Sequence, residues 1–360
     1  MFKATRRRLA TATAIALTVG GLAACGSDSD DGTTSTAATA GGAGVEKRTI
    51  GYVDNLHSGP MQQRWFNYFT AATDELGWDV RLQDAKGDAA LGAKQGVNLV
   101  NQGVDALVIS CFDTAPMRPA INAAKKKDIP VLSVGCPLPE QEAWDAVYHQ
   151  NDGALSKKLA EYVESQAPPS GGKIGVLYDD QLLSGRLRNE VFEETMKDGD
   201  TKIVGSEAIG LTDIESRSRK ASNAFLGANP DLTAIVAIYD IYAPPAVSAI
   251  KAAKRTDDVS VYAYYANANN LPPLIDQASP LQALVDGPVE QVSLVAVDQL
   301  LSHFEKGTPL DPKAADGLQV EYDIYTKDDH PELTKGYITP YPVDEYLKPY
   351  VTKWQQEYGL

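Results

Sequence analysis

Four carboxylates, Asp54, Asp113, Asp240 and Asp286, each stand where a short apolar run of the chain ends, and Asn55, His57, Asn151, Tyr239, Tyr242, Tyr264 and Tyr265 occupy similar places. A carboxylate accepts from two hydroxyls or from an ammonium. Tyrosine faces suit a sugar ring or a cation, and their hydroxyls suit its rim. This is chemistry for holding a ligand that carries several donors. Asp113 has a second reading, because it precedes Thr114 and Ala115 and is equally suited to capping a helix. Tyr262 and Tyr264 alternate with Tyr265, so the period of a strand directs at most one face of that end toward a common site. Catalytic constellations are absent from the sequence. The four histidines, His57, His149, His303 and His330, include no pair at metal-ligand spacing, and there is no Cys-x-x-Cys, Gly-x-Ser-x-Gly or Walker-type loop. No enzyme activity, metal or cofactor is expected.

Those residues need elements to hold them. The runs TIGYVD, WDVRLQD, DALVISC, PVLSVGC, KIGVLYD, KIVGSEAI, TAIVAIYD and VSVYAYY read as strands, and amphipathic stretches alternate with them. Near-continuous apolar strands alternating with helices predict α/β architecture with parallel sheets covered on both faces. Met61, Trp65, Phe69, Ala72 and Leu76 step by three or four, as do Ala93, Val97, Val100 and Val104, and both sets read as core. The QAPPSGG break at 166–172 separates five strands, ending near His149, from a second group starting at Lys173, which gives two similar lobes. The tyrosine-rich stretch YITPYPVDEYLKPYVTKWQQEY reads as a terminal helix docked through aromatic area. Ligands of open parallel sheets bind beyond the carboxyl ends of the strands, which is where the polar residues named above collect.

The N-terminus reads as an export signal over residues 1–24: Lys3, Arg6, Arg7 and Arg8, then an apolar and small-residue run at 9–24, too short to span a bilayer. It ends LAAC, which resembles the lipobox of bacterial lipoproteins, and that resemblance implies that Cys25 is acylated and anchors the chain to the outer face of the cytoplasmic membrane. Two acyl chains suffice for stable anchoring where one does not. Residues 25–47 hold no aromatic and one branched aliphatic, Val45, and read as a disordered linker spanning roughly 25 Å. Without the four cations of the leader, 29 Lys and Arg face 48 Asp and Glu, a net charge of −19 that disfavours nucleic acid as a partner. Cys111 and Cys136 close the third and fourth strands, neighbours in a doubly wound sheet. In an exported protein they would tend to form a disulfide, with two free thiols or a redox pair as the alternatives.

The segments NQGVDALVIS (101–110), DIPVLSVG (128–135), NDGALSKKLAEYV (151–163), GGKIGVLYDD (171–180) and NPDLTAIVAIYDIYAPPAVSAIKAA (229–253) together resemble the ribose-type, type I periplasmic binding proteins of ABC importers. The resemblance implies two Rossmann-like lobes joined by a three-strand hinge, and a monomer that captures a small solute, a sugar or polyol first, and delivers it to a membrane permease. An alternative is a tethered sensor presenting an aromatic or cationic metabolite to a membrane receptor. The implied lobes are 48–151 with about 287–306, and 152–286 with about 307–360, crossing near Asn151, near Asp286 and after Phe304. By position, Arg186 and Arg188 fall where the family places a ligand-donating arginine, and Asn151 matches the asparagine of the first crossing. Gly135-Cys136, Tyr239-Asp240 and Tyr264-Tyr265 replace the family's Asp-Arg, Asn-Asp and Phe-Asp pairs, and Met61-Gln62 replaces its aromatic pair. The expected ligand-binding residues are Asp54, Asn55, His57, Asp113, Cys136, Asn151, Arg186, Tyr239, Asp240, Tyr264, Tyr265 and Asp286.

Overall fold

The computed structural model describes residues 44–328 and 339–360. The leader, Cys25, most of the linker and His330 lie outside the described residues. The linker's expected end is revised: Val45 packs against the core and the Glu46 carbonyl accepts from Trp78 Nε1 at 3.1 Å, so ordered chain begins before Arg48.

The first lobe runs β1 (Thr49–Asp54), α1 (Pro60–Glu75), β2 (Asp79–Asp84), α2 (Ala89–Asn101), β3 (Ala106–Ser110), α3 (Thr114–Lys125), β4 (Val131–Gly135) and β5 (Ala146–His149). Its five strands are all parallel, in the order β2-β1-β3-β4-β5. The second lobe runs α4 (Asp152–Ser165), β6 (Lys173–Tyr178), α5 (Leu183–Met196), β7 (Lys202–Ala208), α6 (Ile214–Ala228), β8 (Ala234–Ala237), α7 (Ala243–Ala252), β9 (Ser260–Tyr264), α8 (Leu271–Ile275) and β10 (Leu281–Asp286). After α9 (Gln291–Lys306), β11 (Asp323–Thr326) completes the second sheet, in the order β11-β10-β9-β8-β6-β7. β11 is its one antiparallel strand. Both expected parallel sheets are present, and the chain passes between them at 150–151, 287–290 and 307–322.

Sequence chemistry explains the strand burial. The β-branched and apolar runs ALVIS and VLSVG are buried at every position in β3 and β4, whereas β2 and β7 run between half-buried and exposed positions because each lies at a sheet edge with one face toward water. α1 starts on Pro60, whose fixed φ suits a first helical position, and buries Met61, Trp65, Phe69 and Ala72 as the periodicity predicts. α10 (Val343–Tyr358) departs from expectation. It does not join the second lobe but packs on α1 and α9, with Trp354 buried and its Nε1 donating to Asp298 at 2.9 Å. α9 in turn packs on α1, β4 and β5, so the first lobe carries both late helices. Their apolar faces match each other, and aromatic spacing alone did not say which lobe would supply the partner.

Candidate functional site

The two sheets present their carboxyl ends to each other, and the lobes touch across the gap. Gly87, at φ +78°, stands so close to the Leu211 carbonyl that a Cβ there would lie 3.1 Å from its oxygen. Asp113 accepts from Leu183 N and from Arg186 Nη2, both at 3.0 Å. The capping role open to Asp113 is therefore not taken, since its side chain makes no cap bond to α3 and reaches the other lobe instead.

The buried centre is built around Tyr265. Its hydroxyl accepts from Arg188 Nη2 at 2.5 Å and from Gln150 Nε2 at 2.7 Å. The Arg188 guanidinium lies 4.9, 5.0 and 5.4 Å from the ring centroids of Tyr239, Tyr264 and Tyr265, and its Nε donates to Asp152 at 2.7 Å. Tyr264, which ends β9, and Tyr265 just after it thus reach the same arginine, against the strand-period expectation. The reason is the backbone: Tyr265 takes φ +61°, a left-handed conformation costly for a bulky residue, and breaks the alternation. On the other side of Tyr265 lies Arg64, 5.6 Å from the ring centroid. Arg64 donates to both Asp286 oxygens at 2.9 and 3.2 Å and to Glu290 Oε1 at 2.5 Å.

These contacts correct several expected roles. Arg188, not Arg186, occupies the buried position; Arg186 is 41% exposed at the rim, held by Asp113 and the Asp180 carbonyl. Asn151 is exposed and caps α4 through Ala154 N, while the buried neighbours Gln150 and Asp152 face the arginine. Asp286 has no accepting capacity left, because Ala266 N and Gly287 N take its remaining positions at 2.9 and 2.8 Å. Asp240 is buried and accepts from Asn267 Nδ2 at 2.8 Å; burial pushes its carboxyl up to about 6. Tyr239 meets Ser184 Oγ at 3.1 Å.

In the first lobe, Asp54 Oδ2 and His57 Nδ1 are 2.9 Å apart. Burial raises the Asp54 carboxyl, and the bond to Asp54 raises the His57 imidazole. Asn55 Nδ2 donates to the Cys111 carbonyl at 3.1 Å. Cys111 and Cys136 are joined as a disulfide with Cα atoms 5.0 Å apart, so Cys136 offers no free thiol. Trp65, read as core, is buried against Gly135, where φ is +106° and a Cβ would stand 2.9 Å from the indole.

The sequence reading missed Arg64, Gln150, Asp152 and Glu290. One signal was available: Arg64 shares the stripe of Met61, Trp65 and Tyr68 at helical spacing, and a charge on a buried face demands a buried partner. Beside the crossings, a cavity of about 530 Å³ is lined by Gln150, Asp152, Leu187, Val289, Val292 and Tyr322, among others. That volume falls in the range of small-molecule sites. Among the described residues no cluster of three His, Cys, Asp or Glu could hold a metal ion, and no helix is long and apolar enough to cross a membrane.

The chain is 27% identical over 193 residues to the xylitol-binding protein of Mycolicibacterium smegmatis, covering 52% of this chain and 53% of that protein. It is 28% identical over 171 residues to the D-ribose/D-allose-binding protein of Pseudomonas aeruginosa, covering 46% and 53%. The chain thus spans about half the length of each of these relatives. Its fold is similar to that of the 5-methylthioribose transporter solute binding protein of Thermotoga lettingae, with TM-score 0.69, 21% identity and coverage of 85% and 97%. It is also similar to an ABC transporter solute binding protein of Agrobacterium vitis with bound allitol, with TM-score 0.68, 20% identity and coverage of 78% and 96%. At such identities the likeness carries the fold: two α/β lobes of the type I arrangement. Residues 50–307 match the model of the periplasmic binding protein domain, well over half of the sequence, and the chain belongs to that family.

Proposed function

We propose that this protein is the exported solute-binding component of an ABC importer, which captures a small hydroxylated solute between its lobes and hands it to a membrane permease. It works as a monomer and by binding, without catalysis. The observation that carries the reading is the buried Arg188–Asp152–Tyr265–Gln150 network, which draws one residue set from the second lobe and another from the first crossing. The network ties the second lobe to the first crossing, so a ligand that touches it and also the first lobe is coupled to hinge motion. The relatives named for xylitol, ribose and allose support a sugar or polyol. We further infer that Cys25 is lipidated and tethers the body through the linker, on the strength of the LAAC junction.

The test is mass spectrometry of whatever ligand leaves protein purified natively, followed by thermal unfolding with xylitol, D-ribose, D-allose, allitol and 5-methylthioribose. A true ligand at 100 times its dissociation constant stabilises by about 2.7 kcal/mol, a readily measured shift. The reading fails if none of these shifts the melting point and the released ligand has no polyol character. In the same mass spectra of full-length protein from membranes, an unmodified Cys25 would remove the tether.

A further inference from the structure

The atoms left over in the closed centre say more about the ligand than the fold does. Around the apposed strand ends and crossings, Asn55 Oδ1, Gln150 Oε1, Asp152 Oδ2, Asn270 Oδ1 and Glu290 Oε2 are buried and have no hydrogen-bond partner. All five are acceptors. Their residues are at most 2% exposed. Against them stands one buried group without a partner that can only donate, Trp65 Nε1, while the unpartnered hydroxyls of Tyr264 and Ser110 can give or accept. A buried acceptor left unpaired costs free energy comparable to a lost hydrogen bond, so the site is complementary to a molecule that brings donors. Two of the five, on Gln150 and Asp152, belong to residues that line the cavity beside the crossings.

The charges point the same way. Within the contacts that join at Tyr265, the cations are Arg64 and Arg188, and both are already committed: Arg64 to Asp286 and Glu290, Arg188 to Asp152. Asp240 adds a further carboxylate, bound to Asn267 and linked to the centre through its carbonyl, which accepts from Asn270 Nδ2 at 3.3 Å. Four carboxylates against two guanidiniums leave an acidic excess in a place that water does not reach. An incoming carboxylate or phosphate would find no uncommitted guanidinium, would bring more acceptors to a site already full of them, and would meet like charge in a medium of low dielectric constant. A hydroxyl supplies one donor. An ammonium supplies three and offsets part of the charge.

We propose that the solute is a hydroxylated amine, a polyol or sugar carrying one protonated amino group, held by the acceptors of Gln150 and Asp152 that line the cavity and matched to the acidic excess of the centre. This rests on the solute-binding reading above and narrows it. The test compares chains of equal length that differ only in the terminal group. One series is 1-amino-1-deoxy-D-sorbitol, D-sorbitol and D-gluconate; the other is 1-amino-1-deoxyxylitol, xylitol and xylonate. Affinities are measured by titration calorimetry on the natively purified protein stripped of bound ligand. In the series that binds, the amine is expected to bind at least tenfold more tightly than the alcohol, and the acid not at all. An alcohol that equals or exceeds its amine overturns the amine proposal and leaves the polyol reading standing. An acid that binds overturns the charge argument altogether. If every member of both series fails while a co-purified ligand of another class is found, the solute-class reading and this narrowing fall together.

Discussion

At the scale of single residues, two arginines two positions apart lead different lives. Arg188 is about 1% exposed and is the partner that keeps Asp152 from being an uncompensated buried charge. Removing one member of such a pair typically costs about 3 to 5 kcal/mol. Arg186 is half out in water, where ion pairs contribute about 1 kcal/mol or less. Urea unfolding of Arg188→Ala and Arg186→Ala should show that separation, and equal losses would mean the buried network contributes nothing special. Asp240 gives a second residue-scale prediction. Its carboxyl sits at about 6 in the folded chain, against about 3.9 unfolded, so between those values the folded form keeps a proton that the unfolded form has lost. Stability contributed by this group is whole below about pH 4, declines as pH rises through 6 and is flat beyond, a difference of about 3 kcal/mol. Asp240→Asn should flatten that part of the profile of melting point against pH. Parallel profiles for variant and parent would remove Asp240 from the account. Little of this was legible beforehand. A strand-end aspartate can be read from sequence, but whether it meets a ligand, a backbone amide or an arginine depends on neighbours more than 200 positions away, as Asp286 and Arg64 show.

Elements were more legible, because their signals are local. The eight apolar runs became strands since β-branched and aromatic residues fit a pleated, buried surface, and α1 buried the stripe its spacing foretold. What periodicity could not supply was partner choice: α10 found the first lobe, and β11 closed the second sheet in antiparallel fashion from a stretch without a strong run of its own. The disulfide is a case where topology did help. The order β1-β3-β4 puts the ends of β3 and β4 side by side, and Cys111 and Cys136 cap those ends. Its loop spans a sequence separation of 25, for which the chain-entropy model gives about 3 to 4 kcal/mol. Replacing both cysteines by alanine should lower unfolding free energy by that order. Titration of the unreduced body without Cys25 should find no thiol, and two reactive thiols would refute the bridge.

Across the whole molecule, the two-lobe plan was readable from repetition of strand and helix around the QAPPSGG break, while the state of the gap between the lobes was not, since it depends on a few contacts at the rim. Asp113 is the clearest of these. It reaches from the first lobe to Leu183 N and Arg186 of the second, and it is largely shielded from solvent, whereas Arg186 is not. Losing its two bonds should cost the closed arrangement about 1 to 2 kcal/mol once screening at Arg186 is allowed for, a roughly five- to thirty-fold shift of the closed-to-open ratio. Both side-chain bonds of Asp113 go to the other lobe, so Asp113→Ala should leave the melting point of each lobe nearly unchanged and act on the gap alone. Small-angle scattering of the unliganded protein should then report a larger radius of gyration for Asp113→Ala than for the parent, with Arg186→Ala falling between, because it keeps the bond from Leu183 N. If the three curves superimpose, the rim contacts do not govern closure, and the coupling of ligand to hinge must come from the buried Tyr265 centre alone.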